Sequence, residues 1–275
     1  MTPMTTAFVL GGGGVLGAVE VGMLRALLER EIQPDLVLGT SVGALNGAMI
    51  SRDPTLGAIE RMTELWRTVA EGREVYGDRR LRTVRRAMST GTHIYSPRPI
   101  KERLEQEFGD LTFEDLPVRF QVCAASIERA AEHWFDSGPV VDAVVASAAV
   151  PGLLPPAKVG NEHYLDGGIV NSIPVGRAVL LGATRIFVLQ VGRIDRPLKP
   201  PRRPWEVARV SFEIARRHRF AREMGELPDN IEAHVLPARG TSDKDDSLFG
   251  HRDFSGIQDR IDASYQASVD YLESL

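Results

Sequence analysis

The sequence predicts an α/β fold, with a mainly parallel central sheet covered by helices on both faces. Three observations lead there. Strand-like and helix-like patterns alternate through most of the 275 residues, the order that builds βαβ units. Four consecutive glycines, at 11–14, directly follow the first strand and open a helix. The pentapeptide Gly39-Thr40-Ser41-Val42-Gly43 sits between an apolar run and a small-residue helix.

In chain order, residues 7–10 read as a strand and residues 15–30 as the helix after the glycine loop. Residues 35–38 form a short buried strand, and 44–50 a helix whose small residues permit close packing. Ile59, Met62, Leu65 and Trp66 recur at helical spacing. Residues 71–98 are rich in arginine (Arg73, Arg79, Arg80, Arg82, Arg85, Arg86), interleaved with Tyr76, Leu81, Val84 and Met88. A helix at 99–108 precedes strands at 118–126 and 133–135, a small-residue helix at 140–147 and a buried strand at 186–191. Four prolines between 196 and 204 lead into a helix (205–225) and a strand (231–236) rather than a separate module. No internal repeat is present. One domain over 1–275 is expected, with its motifs at about 7–192 and residues 193–275 packed on the same body.

Hydrophobic residues make up 43% and charged residues 25%, ordinary for a globular protein with a sizeable core. A net charge of −4 argues against a nucleic-acid binder held by bulk charge. The single cysteine, Cys123, lies in an apolar run and reads as a buried small residue. It has no disulfide partner within the chain, which fits a reducing cytoplasm. The first residues lack a basic and apolar signal-peptide pattern. No stretch approaches the roughly 20 apolar residues that span a bilayer, so the only membrane contact expected is peripheral.

A strand that turns sharply into a helix at Ser41 presents the hydroxyl on a strained elbow. Gly39 and Gly43 are needed where the chain crosses itself, because a Cβ there would clash. The helix N-terminus after Ser41 aims N–H groups and a positive dipole end at whatever the serine attacks. Gly12, Gly13 and Gly14, with Gly17 closing the turn, let backbone N–H groups converge on an anion. The same glycines fit a dinucleotide fingerprint, but that requires an acid at the end of the second strand. There the chain has Gly39-Thr40-Ser41, and Asp35 lies at the wrong end. An oxyanion hole beside the serine uses both features. The third signal is Asp166-Gly167-Gly168 after the short run 162–165. A carboxylate at a strand end, held by a glycine turn, suits a base or base-orienter; an ordinary Asp-Gly hairpin turn is the plainer alternative.

These three signals, with Ala146-Ser147-Ala148-Ala149-Val150-Pro151 as a fourth, resemble the patatin-like phospholipase family over roughly residues 7–192. The resemblance implies a three-layer α/β/α fold and hydrolysis of lipid or other acyl esters. It implies a Ser–Asp dyad without histidine: Ser41 as nucleophile and Asp166 as base, with Gly12, Gly13 and Gly14 as the oxyanion hole. Gly17, Gly39, Gly43, Gly167 and Gly168 support these elements. No cofactor or metal is implied. One departure is Leu16, where the family usually carries Arg or Lys to steady the loop. For Asp166 to act as base its pKa must rise by desolvation, for which Leu165 and Ile169 are the apolar neighbours in sequence.

Two other readings stay open. One is a non-enzymatic regulator or lipid-binding protein on the same fold, pointed to by Leu16. The other is a Ser–Asp–His triad using His218, His234 or His251, which follow Asp166 in the chain. The basic stretches 79–88 and 207–220 suggest either a membrane-facing surface or, more simply, solvated helix faces whose apolar sides pack on the core. The acidic loop 243–246 reads as surface. Oligomeric state is not legible.

Overall fold

The computed structural model describes residues 4–72, 93, 95–192, 194, 197–239 and 256–275. The arginine-rich stretch 79–88, the acidic loop 243–246 and His251 lie outside the described residues.

The chain opens with β1 (Thr6–Leu10), a 3-10 turn (Gly14–Gly17), α1 (Ala18–Glu29), β2 (Leu36–Thr40), α2 (Val42–Arg52) and α3 (Leu56–Gly72). There follow α4 (Arg98–Phe108), β3 (Arg119–Ser126), β4 (Ala131–Phe135), α5 (Val140–Ser147), β5 (Ala157–Val159), β6 (Glu162–Asp166) and the single turn α6 (Gly168–Asn171). The order closes with α7 (Val175–Leu180), β7 (Arg185–Leu189), α8 (Pro204–Gly225), β8 (Glu232–Val235) and α9 (Ile257–Glu273).

The sheet is mixed and runs β5-β6-β3-β2-β1-β7-β8, with β4 paired to β3 off that path. The five strands β3, β2, β1, β7 and β8 are parallel, while at one end β4 and β6 run antiparallel to β3 and β5 antiparallel to β6. The central strands are apolar on both faces because both are covered. Phe8, Leu10, Val37 and Phe187 face the core shared with α1, α2, α3, α5 and α9. Ala7, Val9, Leu38, Ile186 and Val188 face the core shared with α7 and α8. Three layers result, as the alternation of patterns predicts.

One feature of the topology positions the site. β2 runs parallel to β3 until Thr40 stands opposite Cys123. The next residue of β3, Ala124, is paired with Asp166 of antiparallel β6. β4 holds the other edge of β3 from Val122 to Ser126. Hence β2 and β6 lie end to end along one edge of β3, and the residues where they stop are brought together.

Candidate active site

Ser41 follows the last residue of β2 and precedes the first of α2, with φ 55° and ψ −121°. A positive φ at a non-glycine residue is strained, and such strain persists only where the surroundings over-determine it. Here they do. A Cβ on Gly39 would lie 2.6 Å from the Ala44 Cα, and one on Gly43 2.4 Å from the Leu10 carbonyl oxygen. Both glycines are therefore needed for backbone to cross backbone, as the pentapeptide predicts.

Asp166 is the last residue of β6 and is 5% exposed, against 8% for Ser41. The Ser41 Oγ donates to Asp166 Oδ2 at 2.6 Å, across 125 positions of chain. The Gly168 N–H donates to Asp166 Oδ1 at 2.7 Å. Desolvation raises the Asp166 pKa to about 6, against these two hydrogen bonds, which pull it down. Of the apolar neighbours expected in sequence, Ile169 is 39% exposed. The Phe212 ring of α8 and the Asp166 Oδ1 both lie close to Gly168, 2.9 and 3.0 Å from where a Cβ on it would stand. Asp166-Gly167-Gly168 is thus not a hairpin turn but a strand end leading into α6.

The Ala146–Pro151 motif, to which sequence reasoning assigned no role, ties both acidic and nucleophilic ends together. The fully buried Ser147 Oγ accepts the Ser41 N–H at 2.7 Å and donates to the Cys123 carbonyl at 2.6 Å. Its own carbonyl accepts the Gly167 N–H, and the Ala149 carbonyl accepts the Asp166 N–H. Only the spatial neighbourhood shows this; a serine in a small-residue helix carries no local signal.

The glycine loop lies on the other side of Ser41. A Cβ on Gly12 would stand 3.3 Å from both the Ser41 Cβ and the Ser172 Oγ, and one on Gly13 would strike Val191. The Gly12 N–H donates to the Ser172 carbonyl at 3.1 Å, and the Gly11 N–H to Leu189. Leu16 is 7% exposed and joins the core, so packing rather than a cation anchors the loop there.

Of the three histidines that the alternative triad would draw on, two are described. His218 is exposed on α8. His234 is held by Glu232 at 2.6 Å and Tyr271 at 3.3 Å, stacked on Phe187 near the opposite sheet edge. Neither contacts the serine or the aspartate. The basic stretch on α8 meets expectation in part: Val210 and Phe220 are buried, but Arg216 is buried too and paired with Glu213, while Val207 and Ile214 are exposed. Arg219 reaches the Val170 carbonyl at 2.6 Å and Glu132 at 2.9 Å, docking α8 over α6. Among the described residues no group of three His, Cys, Asp or Glu side chains is placed to hold a metal. No helix among them is long and apolar enough to cross a membrane.

Residues 8–179 match the family described as Patatin-like phospholipase. The chain belongs to the patatin-like phospholipase family. It is 34% identical over 199 residues to the lysophospholipase nte1 of Aspergillus terreus, a match covering 70% of this chain and 12% of that protein. The lysophospholipase NTE1 of Candida glabrata is 30% identical over 195 residues, covering 68% of this chain and 10% of that protein. The chain thus spans about an eighth of the length of these curated relatives. Among solved structures, VipD from Legionella pneumophila shares the fold, with a TM-score of 0.51 and 15% identity over 99% of this chain and 67% of that one.

Proposed function

We propose that the protein is a serine acyl-ester hydrolase acting on lipids, of phospholipase A, lysophospholipase or esterase type. The observation that carries this reading is the 2.6 Å hydrogen bond from the Ser41 hydroxyl to a buried carboxylate with raised basicity. Asp166 accepts the Ser41 proton as Oγ attacks the ester carbonyl, and returns it to the departing alcohol. Asp166 then takes a proton from water as the water oxygen attacks the acyl-enzyme, and passes that proton to the departing Ser41 Oγ, releasing the fatty acid and restoring the dyad. Neither step calls for a metal or cofactor.

The oxyanion falls to the glycine loop at the N-terminal end of α2. With the Gly12 N–H engaged by Ser172, the N–H groups of Gly13 and Gly14 are its donors, with Gly12 shaping the loop. Each such donor is worth about 2.7–4 kcal/mol in the transition state. Support for a dyad over a triad comes from His218 and His234, which lie apart from Asp166 and have other surroundings. The reading as an inactive regulator drew on Leu16; its packing into the core supplies the steadying that the family's cation gives elsewhere.

Relatives named lysophospholipase make a single-chain phospholipid the first substrate to test. Release of fatty acid from lysophosphatidylcholine, phosphatidylcholine and p-nitrophenyl esters of increasing length is expected with the wild type and absent with Ser41→Ala. Equal release by both proteins would rule the reading out.

A further inference from the structure

Beside Asp166, one other acid is buried without a basic partner among the described residues, and the proposed chemistry leaves it idle. Glu20, early in α1, is 0% exposed. Burial holds its carboxyl well above the usual carboxylate range, against the Asn46 hydrogen bond, which pulls it down. Its Oε2 accepts the Asn46 Nδ2 at 2.7 Å, while its Oε1 is buried with no hydrogen-bond partner. Asn46, also 0% exposed, donates from Nδ2 to the Gly17 carbonyl at 2.9 Å and accepts the Trp66 Nε1 at 3.2 Å.

This polar cluster sits inside an apolar core, where burying such groups is costly unless they are hydrogen-bonded. Its bonds converge on one place. The Asn46 amide, held by Glu20, grips the Gly17 carbonyl, where the glycine turn runs into α1. It is also rooted in α2, the helix that starts at the nucleophile, and is braced by α3 through Trp66. The loop, having no side chains across 11–14, has few means of its own to keep a shape.

We infer that Glu20 and Asn46 are positioning residues, a buried clamp that holds the Gly17 end of the glycine loop to α2 and fixes the direction of the Gly13 and Gly14 N–H groups toward Ser41. The inference rests on the hydrolase reading for its catalytic consequence, but the loop's rigidity is measurable without it. A competing role is plain knitting of α1, α2 and α3, in which case an apolar residue of similar volume would serve equally well.

Glu20→Leu separates the two, because it preserves packing and removes the hydrogen bonds. The clamp requires kcat on a p-nitrophenyl ester to fall about tenfold or more with KM little changed. It also requires faster amide hydrogen exchange confined to residues 11–17. Glu20→Gln, which keeps an acceptor for Asn46, is expected to restore kcat to within about threefold of wild type. Unchanged kcat and loop exchange in Glu20→Leu would overturn the clamp, as would exchange that rises over the whole chain, or a Glu20→Gln variant as impaired as Glu20→Leu. If the wild type hydrolyses no ester, the hydrolase reading falls, and the loop exchange of Glu20→Leu against wild type still decides the clamp.

Discussion

At the scale of single residues, the behaviour of Asp166 follows from its burial. Its carboxyl holds a proton up to about pH 6 in the folded protein, whereas an exposed aspartate in the unfolded chain loses it near pH 3.9. Below about pH 4 both states are protonated and the group carries no penalty. As pH rises through about 6 the folded state is left with a desolvated charge, and stability is lost. Asp166→Asn keeps the shape and an oxygen to accept the Gly168 N–H, turns the Ser41 bond round so that Nδ2 donates to Oγ, and carries no charge. It is expected to be more stable than wild type near pH 8 by on the order of 2–3 kcal/mol, and to show little advantage near pH 4. Denaturant midpoints at the two pH values check this; an equal gain at both would contradict the assigned cause. Activity has the complementary profile: kcat/KM is expected to rise as Asp166 ionises near pH 6 and then level off. Ser41, Asp166 and the flanking glycines were legible in the sequence because each sits in a local pattern whose backbone geometry admits few residue types. Glu20, Asn46 and Ser147 were not, because their roles depend on partners far along the chain, 26, 29 and 106 positions away.

At the scale of elements, the site is a consequence of two strands ending against a third. β2 and β6 approach each other along one edge of β3, and α5 lays Ser147 across the junction. Ser147→Ala leaves the buried Ser41 N–H without its acceptor and removes the donor to Cys123. It is expected to cost about 1–3 kcal/mol of stability and to slow hydrolysis by about a hundredfold through a displaced elbow. A variant with wild-type rate would show that the elbow is held by its glycines alone. The sequence indicated β1, β2, β3 and β7 through their continuous apolar runs. It indicated β6 only as a short run and missed β5, because Ala157-Lys158-Val159 is a short edge strand and Glu162-His163, beside it, is half solvated. Antiparallel pairing at that end is likewise invisible to a strand–helix alternation. Helix α8 kept only part of its pattern: Val210 and Phe220 are buried, as its spacing implies, but so is Arg216, bound to Glu213, while Phe212 and Ile214 are exposed.

At the scale of the whole molecule, α9 returns from the far end of the chain to cover α1. No apolar stripe announces it, since its buried face includes Ser264 and Ser268 beside Ile257 and Ile261. Small residues serve there because the two helices touch backbone to backbone. A Cβ on Gly22 would lie 2.2 Å from the Ile261 carbonyl oxygen, and the Ser264 Oγ donates to the Val19 carbonyl at 2.7 Å. Gly22→Ala is expected to lower stability by about 1–3 kcal/mol by forcing α9 off α1, and an unchanged thermal midpoint would show that α9 does not pack so closely. Because α1 also carries Glu20, this seam lies one helix away from the glycine loop.

The most direct measurement is covalent labelling of Ser41 by a fluorophosphonate, located by peptide mass spectrometry in the wild type and in Asp166→Asn. The adduct is expected on Ser41 in the wild type at about neutral pH, and lost or slowed by at least about a hundredfold in the folded variant. Labelling of Ser41 at the same rate in both proteins, or an intact wild type that resists the reagent, would contradict a dyad in which the buried carboxylate activates the serine.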